Sequence, residues 1–304
     1  MPLKPVLLLT DPAHFAVSYA INPWMQPGAW AEDPAGHLAA AGGSFRALVA
    51  ALAAAGARLE IMPGVAGLPD MVFPANAAVV LDRRALLARF RYPERQGEER
   101  HFEEHCRGLI GRGLLDEVAQ LPANCFQEGA GDCLWDATRG RFWAGYGQRS
   151  TRQAADEVGA FFGQTVTALE LVSPRFYHLD VCFCPLSGGE ILYYPPAFSA
   201  AALAAIREAV AADDLIEATD EDAARFTINA VNIDDRLVMA SASPRLVARL
   251  AERGYRVTDI DLLPFIMSGG GAYCMTLRLD RRAAARRGIG RCASFEGASR
   301  KEPP

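Results

Sequence analysis

The 304-residue sequence predicts an α/β protein built from five similar modules set around one axis, and three observations predict it. Short apolar strands alternate with helical stretches along the chain. One polar residue stands at a strand mouth in each repeat, namely Asn76, Asp132, His178, Asn229 and Cys274, at steps of 56, 46, 51 and 45 residues. No Gly-, Ser- or Pro-rich linker interrupts the series. The chain therefore reads as one domain over 1–304, with a polar end from about residue 292 that frays. Strand mouths arranged about an axis face a common cavity, so residues far apart in sequence converge there.

The elements follow in order. Residues 6–9 are an apolar strand ended by Thr10-Asp11-Pro12, and the turn-like Tyr19-Ala20-Ile21-Asn22-Pro23-Trp24-Met25 after it is suited to line a pocket. The alanine-rich stretch 36–55 has a helical pattern that Gly56 stops ahead of a strand at 58–62. Asn76 opens a strand at 77–81, and the charged segment 89–98 then reads as a solvated loop before a helix at 99–110. Acidic residues among small ones, Glu128-Gly129-Ala130-Gly131-Asp132, open the next strand. A hairpin return at 141–147 leads to a helix at 152–162. Tyr177-His178-Leu179-Asp180 is the following polar strand mouth, with a helix at 200–211. Asn229 opens the fifth, with a helix at 245–253 and a strand at 256–260. The chain then reaches Gly269-Gly270-Gly271-Ala272-Tyr273-Cys274 and a strand at 275–279.

Composition narrows the function. With 51% hydrophobic and 22% charged residues the chain has ample core-forming material, and a net charge of −5 argues against nucleic acid or an anionic membrane as the main partner. The basic run 278–291 is a local exception, read as a solvated face. No stretch reaches the ~18 uninterrupted apolar residues of a membrane span, and a cytoplasmic protein is expected. Seven cysteines, an odd number at irregular spacing without a Cys-x-x-Cys pair, point to neither a disulfide framework nor a zinc site, and Cys182 and Cys184 read as packing residues. A homo-oligomer is left open.

Alone, Cys274 reads as a small buried residue beside a flexible turn. The conjunction changes that reading. A thiol, a histidine and carboxylates at converging strand mouths are the parts for attack by a Cys thiolate with His as general acid and base. Alternation along a strand would turn His178 and Asp180 to the cavity and Leu179 and Val181 away from it.

Phe73-Pro74-Ala75-Asn76, Glu128-Gly129-Ala130-Gly131-Asp132, His178-Leu179-Asp180 and the Gly269–Cys274 run, in this order across residues 5–280, resemble the guanidine-modifying superfamily of amidinotransferases and arginine deiminases. The resemblance implies a five-bladed α/β propeller of ββαβ modules and a small guanidino substrate, with no metal or cofactor. It implies Cys274 as the nucleophile at the guanidinium carbon and His178 as the proton shuttle. Glu128 and Asp180 would hold the guanidinium nitrogens. Arg149, in Gly147-Gln148-Arg149-Ser150-Thr151, would bind the substrate α-carboxylate, with Arg95 a second candidate. Asn22 would join the site, and whether Asp132 touches substrate is left open by its spacing from Glu128.

One departure bears on the reaction. Asn76 stands where deiminases carry an Asp, and an amide both donates and accepts, so it can hold a guanidinium and then a neutral ureido group. That, with the 19–25 segment, is similar to arginine dihydrolases and to succinylarginine dihydrolase. Arginine would go to ornithine, two ammonia and carbon dioxide. The alternatives are an arginine deiminase or a dimethylarginine dimethylaminohydrolase giving citrulline, an amidinotransferase, an arginine-binding sensor without turnover, or a structural propeller that presents a protein-binding surface.

Overall fold

The computed structural model describes residues 4–283, and its strands form five three-stranded sheets arranged as a five-bladed α/β propeller. In the first blade β1 (Val6–Thr10) and β2 (Arg58–Met62) run parallel, joined through the helix Pro34–Ala54. The second blade pairs β3 (Ala78–Leu81) antiparallel with β4 (Arg84–Leu87). The helix Glu98–Gly111 then carries the chain to β5 (Glu117–Gln120), parallel to β4. The same ββαβ order recurs in β6 (Cys133–Asp136), β7 (Arg141–Tyr146), the helix Ala154–Phe162 and β8 (Thr165–Glu170). It recurs again in β9 (Phe183–Pro185), β10 (Ile191–Tyr193), the helix Ala200–Ala209 and β11 (Leu215–Glu217). The fifth blade is β12 (Val231–Ile233), β13 (Arg236–Met239), the helix Pro244–Ala251 and β14 (Arg256–Asp259). Finally β15 (Leu277–Arg278) pairs antiparallel with β1, so the first blade takes strands from both ends of the described chain.

Burial falls from the first strand of a blade to the last, and the sequence follows it. β3 (AVVL) and β6 (CLWD) are buried at every position, whereas β5 (EVAQ) and β14 (RVTD) contain no buried residue. A strand covered on both faces can be continuously apolar; one at the rim must carry charge. Two-residue turns tighten the hairpins: Asp82 and Arg83 both take positive φ, 52° and 64°, as a hairpin turn matching strand twist requires. Ser199 and Ser243 cap their helices by accepting the Ala202 and Leu246 N–H groups. The helix Pro34–Ala54 is long and apolar enough to cross a membrane by composition alone, but it lays Ala41, Phe45, Leu48 and Leu52 into the main apolar cluster at helical spacing.

Several expectations need correction. The strand after Cys274 is shorter than expected, because Met275 and Thr276 complete a turn through the Met275 N–H to the Gly271 carbonyl. Asp180 lies in a 3-10 turn, Leu179–Val181, capped by His178, and the strand begins at Phe183, so strand alternation is not what orients the pair. Segment 89–98 is not a solvated loop: Arg95 and Glu98 are buried within it. In the basic run, Arg278 is ion-paired with Asp280 and Arg281 donates to the Trp135 carbonyl, so its start is tied to the fold. The remainder of that run from 284, and the end expected to fray, lie outside the described residues.

Candidate active site

The residue just ahead of the first strand in each blade faces the axis. A short turn precedes each of these strands: Pro74–Ala77 holds Asn76, Gly129–Asp132 holds Asp132 and is capped by Glu128, and Leu179–Val181 holds Asp180. Asn229 and Cys274 sit in turns ahead of β12 and β15. His178 lies just ahead of its turn in extended backbone and meets Glu128, while Asp180 lies within the turn and meets Cys274. The glycine run serves packing: a Cβ on Gly270 would lie 2.0 Å from the Phe73 ring, so only glycine admits that ring beneath the thiol segment.

Around the thiol, the Cys274 Sγ donates to Asp180 Oδ2 at 3.2 Å and accepts from Asn229 Nδ2 at 3.1 Å. Asn229 also accepts the Cys274 backbone N–H at 3.1 Å and donates to the Asp180 carbonyl, so one amide fixes both partners. Asp180 Oδ1 is buried and has no hydrogen-bond partner among the described residues. Burial pushes the Asp180 carboxyl up to about 7, opposed by the thiol and the Asn229 amide. Burial first, and Asp180 second, push the Cys274 thiol well above its ordinary value. Burial and Asp180 thus both favour the protonated thiol, whereas an ion pair with His178 would have required a lowered thiol pKa.

The imidazole side is saturated. His178 Nε2 meets Glu128 Oε2 at 2.7 Å, and the same oxygen accepts from Arg149 Nη1 at 2.9 Å. Glu128 Oε1 accepts the Arg91 N–H at 3.3 Å. Burial would raise the Glu128 pKa, but Arg149 and His178 outweigh it and hold the carboxyl well below the usual carboxylate range. With both oxygens engaged by the protein, Glu128 orients the imidazole, in addition to any contact with a guanidinium. Asp132 is likewise engaged, accepting from the Ser150 hydroxyl at 2.6 Å and the Leu179 N–H at 3.0 Å; it braces the turn that carries Asp180.

The two candidate arginines differ. Four hydrogen bonds hold Arg95: Nε and Nη2 to the Glu98 carboxylate at 2.9 and 2.8 Å, Nη2 to the Asp70 carbonyl and Nη1 to Asn76 Oδ1 at 2.8 Å. Arg149 uses Nη1 on Glu128 and Nη2 on the Ile21 carbonyl, between the rings of Tyr92 and Tyr177 at 4.6 and 4.7 Å. Of five guanidinium N–H groups, Arg149 therefore keeps more for a ligand than Arg95 does. Asn22 holds the 19–25 loop over the glycine run, donating to the Ser268 carbonyl and accepting the Trp24 N–H.

Sequence reasoning passed over four members of this site. Asn229 appeared in the period of five and only its role was missed; treating all five positions as equivalent finds it. Asp70, whose carboxylate accepts from the Tyr19 and Ser268 hydroxyls at 3.0 Å each, and Glu98 belong to no strand mouth. Tyr177, against the His178 ring at 4.6 Å, reads in sequence as one more apolar neighbour.

Residues 12–281 match the family described as N,N dimethylarginine dimethylhydrolase, eukaryotic. The chain is 38% identical over 273 residues to the bifunctional arginine dihydrolase/ornithine cyclodeaminase ArgZ of Synechocystis sp., covering 90% of this chain and 37% of the relative. It thus spans little more than a third of that protein. It is 36% identical over 275 residues to an N(G),N(G)-dimethylarginine dimethylaminohydrolase of Mycobacterium tuberculosis, covering 89% of this chain and 84% of the relative. An asparagine-to-serine variant of the N-terminal domain of ArgZ, covalently bonded to a reaction intermediate, superposes with a TM-score of 0.84 at 36% identity, over 92% of this chain and 99% of that one. The blade order, the five converging turns and these matches agree, and the chain belongs to the N,N-dimethylarginine dimethylhydrolase family of guanidine-modifying proteins.

Proposed function

We propose that this protein hydrolyses the guanidino group of free arginine twice, through a covalent adduct on Cys274, to give ornithine, two ammonia and carbon dioxide. The buried, unpartnered Asp180 Oδ1 beside the thiol supports this reading, because a guanidinium N–H would satisfy it. Binding a cation there favours ionised Asp180, and the thiol passes its proton to His178 as the thiolate forms. Arg149 takes the substrate carboxylate. The thiolate then adds to the guanidinium carbon, one C–N bond breaks, and His178 passes a proton to the leaving ammonia. Water, deprotonated by His178, attacks the adduct carbon and frees the thiolate, leaving a ureido group. A second round expels the second ammonia, and the resulting N-carboxylate loses carbon dioxide.

The observation that carries two rounds over one is the amide at Asn76, 3.5 Å from His178 Nδ1 through its nitrogen. A carboxylate in that place would repel a neutral ureido oxygen, and an amide nitrogen donates to it. The relative in Synechocystis named as an arginine dihydrolase supports the reading. The relative in Mycobacterium tuberculosis supports a second one, a dimethylarginine hydrolase. Incubation with arginine, methylated arginines and citrulline, with products counted by mass spectrometry, separates them. Ornithine with about two ammonia per arginine is expected; citrulline accumulating from methylated arginine alone would select the second reading.

A further inference from the structure

Whether an amide at position 76 helps the second hydrolysis depends on which of its ends faces the reaction, and the protein decides this outside the turns that carry the catalytic groups. An arginine guanidinium only donates, so the Asn76 atom 2.8 Å from Arg95 Nη1 is the oxygen. Arg95 is not free to turn. Its Nε and Nη2 are held as a fork by the two Glu98 oxygens, its Nη2 also reaches the Asp70 carbonyl, and its guanidinium lies 4.4 Å over the Phe90 ring. Glu98 itself is fully buried at the start of the helix Glu98–Gly111. On the other side of the amide, a Cβ on Gly131 would sit 2.2 Å from Asn76 Nδ2, so the glycine leaves room for the NH2 end. His178 completes the ordering: with its Nε2 proton directed to Glu128, its Nδ1 presents a lone pair toward the Asn76 NH2.

We propose that Glu98 is a positioning residue that, through Arg95, locks the Asn76 amide with its NH2 toward the reacting carbon and so commits the ureido intermediate to a second hydrolysis. The proposal rests on the two-round reading above. The first round acts on a cationic guanidinium, whose N–H donors find their acceptor in the Asp180 carboxylate rather than in the amide. The second acts on a neutral ureido group whose oxygen needs a donor. If the amide turned over, its oxygen would oppose both the ureido oxygen and the Nδ1 lone pair, and the half-processed product would leave.

The test is the ratio of citrulline to ornithine released from arginine by the full chain, read beside melting temperature for wild type, Glu98→Gln, Glu98→Asp and Arg95→Lys. Wild type giving ornithine establishes the two-round reading, and wild type giving citrulline alone overturns that reading before any variant is compared. With the reading in place, Glu98→Gln is expected to raise the released citrulline at least about tenfold relative to ornithine. Glu98→Asp should shift it less, and Arg95→Lys should match Glu98→Gln, because an ammonium cannot hold the carboxylate fork and the amide oxygen together. A structural role alone would lower the rate and the melting temperature without moving the ratio. A folded Glu98→Gln or Arg95→Lys that still releases ornithine alone, however slowly, overturns the proposal; the two positions are independent, so loss of folding in one leaves the other decisive.

Discussion

The two halves of the site are finished to different degrees. Around His178, every charge has its partner: Glu128 is shared by the imidazole, Arg149 and a backbone N–H, and its pKa is depressed. Around Cys274, Asp180 has one oxygen on the thiol and one on nothing among the described residues, and both groups have raised pKa values. The first half is scaffold that is complete without substrate. The second is the half that the proposed substrate would complete, since a guanidinium would supply planar N–H donors to the Asp180 carboxylate. On the proposed reading the thiol keeps its proton until a guanidinium cation reaches Asp180, and the difference between the halves can be tested from either side.

Removing the nucleophile gives the largest effect. Cys274→Ala should abolish turnover, by about 10⁴-fold or more, while arginine binding followed by calorimetry survives. Retained turnover would remove covalent catalysis from the account. Asp180→Asn comes next, expected to cost about 10³-fold in kcat/KM because the cation loses its countercharge. The same change should stabilise the empty protein. A carboxyl raised from 3.8 to about 7 on folding binds its proton more tightly in the native state, so its penalty is absent below about pH 4, grows through neutrality and is complete above pH 7. The variant should therefore be more stable than wild type at pH 8, by an amount on the order of 4 kcal/mol, and as stable as wild type at pH 4. A lower melting temperature at pH 8 would contradict the unfinished half.

Glu128→Gln breaks the finished half and should have the opposite sign. It leaves Arg149 buried with an unpaired charge, which costs about 3 kcal/mol, and it loosens the imidazole, slowing turnover about 10²-fold. Here the folded pKa is depressed, so the contribution of Glu128 is complete above its unfolded value near 4.5 and is lost progressively as pH falls from there through the depressed one. Wild type and variant should converge in stability only in strong acid. A stability difference unchanged down to pH 2 would mean that the charge is not what matters.

These assignments were unevenly legible in the sequence. The five-fold period was visible because each blade must repeat an apolar inner strand, a helix and a polar strand mouth, and His178 and Cys274 were visible because a histidine and a thiol both stand at mouths of that period. The conformation of the strand mouths was not, since the three residues Leu179–Val181 are too few for a period to separate a 3-10 turn from a strand. Glu98 and Asp70 were hidden for a different reason. A charged residue in a charged segment looks solvated until the fold buries it, and the partner that makes Glu98 tolerable, Arg95, is itself tied to Asn76 across a distance that sequence spacing does not encode.

The smallest expected effect probes the join between the halves. The Ser150 hydroxyl donates to Asp132 at 2.6 Å and accepts the Glu128 N–H at 3.1 Å, so it links the carboxylate that orients His178 to the one that braces the turn of Asp180. Burial raises the Asp132 carboxyl to about 6, against the nearby His178 and the Ser150 hydrogen bond that lower it. Ser150→Ala removes that stabilisation and leaves a buried carboxylate oxygen without its donor, so the Asp132 proton is held to higher pH and stability falls by about 1 kcal/mol at neutrality. Because Ser150 touches no reacting atom, kcat should fall a few-fold with KM for arginine unchanged. A change in KM instead would mean that Asp132 contacts the substrate directly, and would move it from the scaffold to the binding surface.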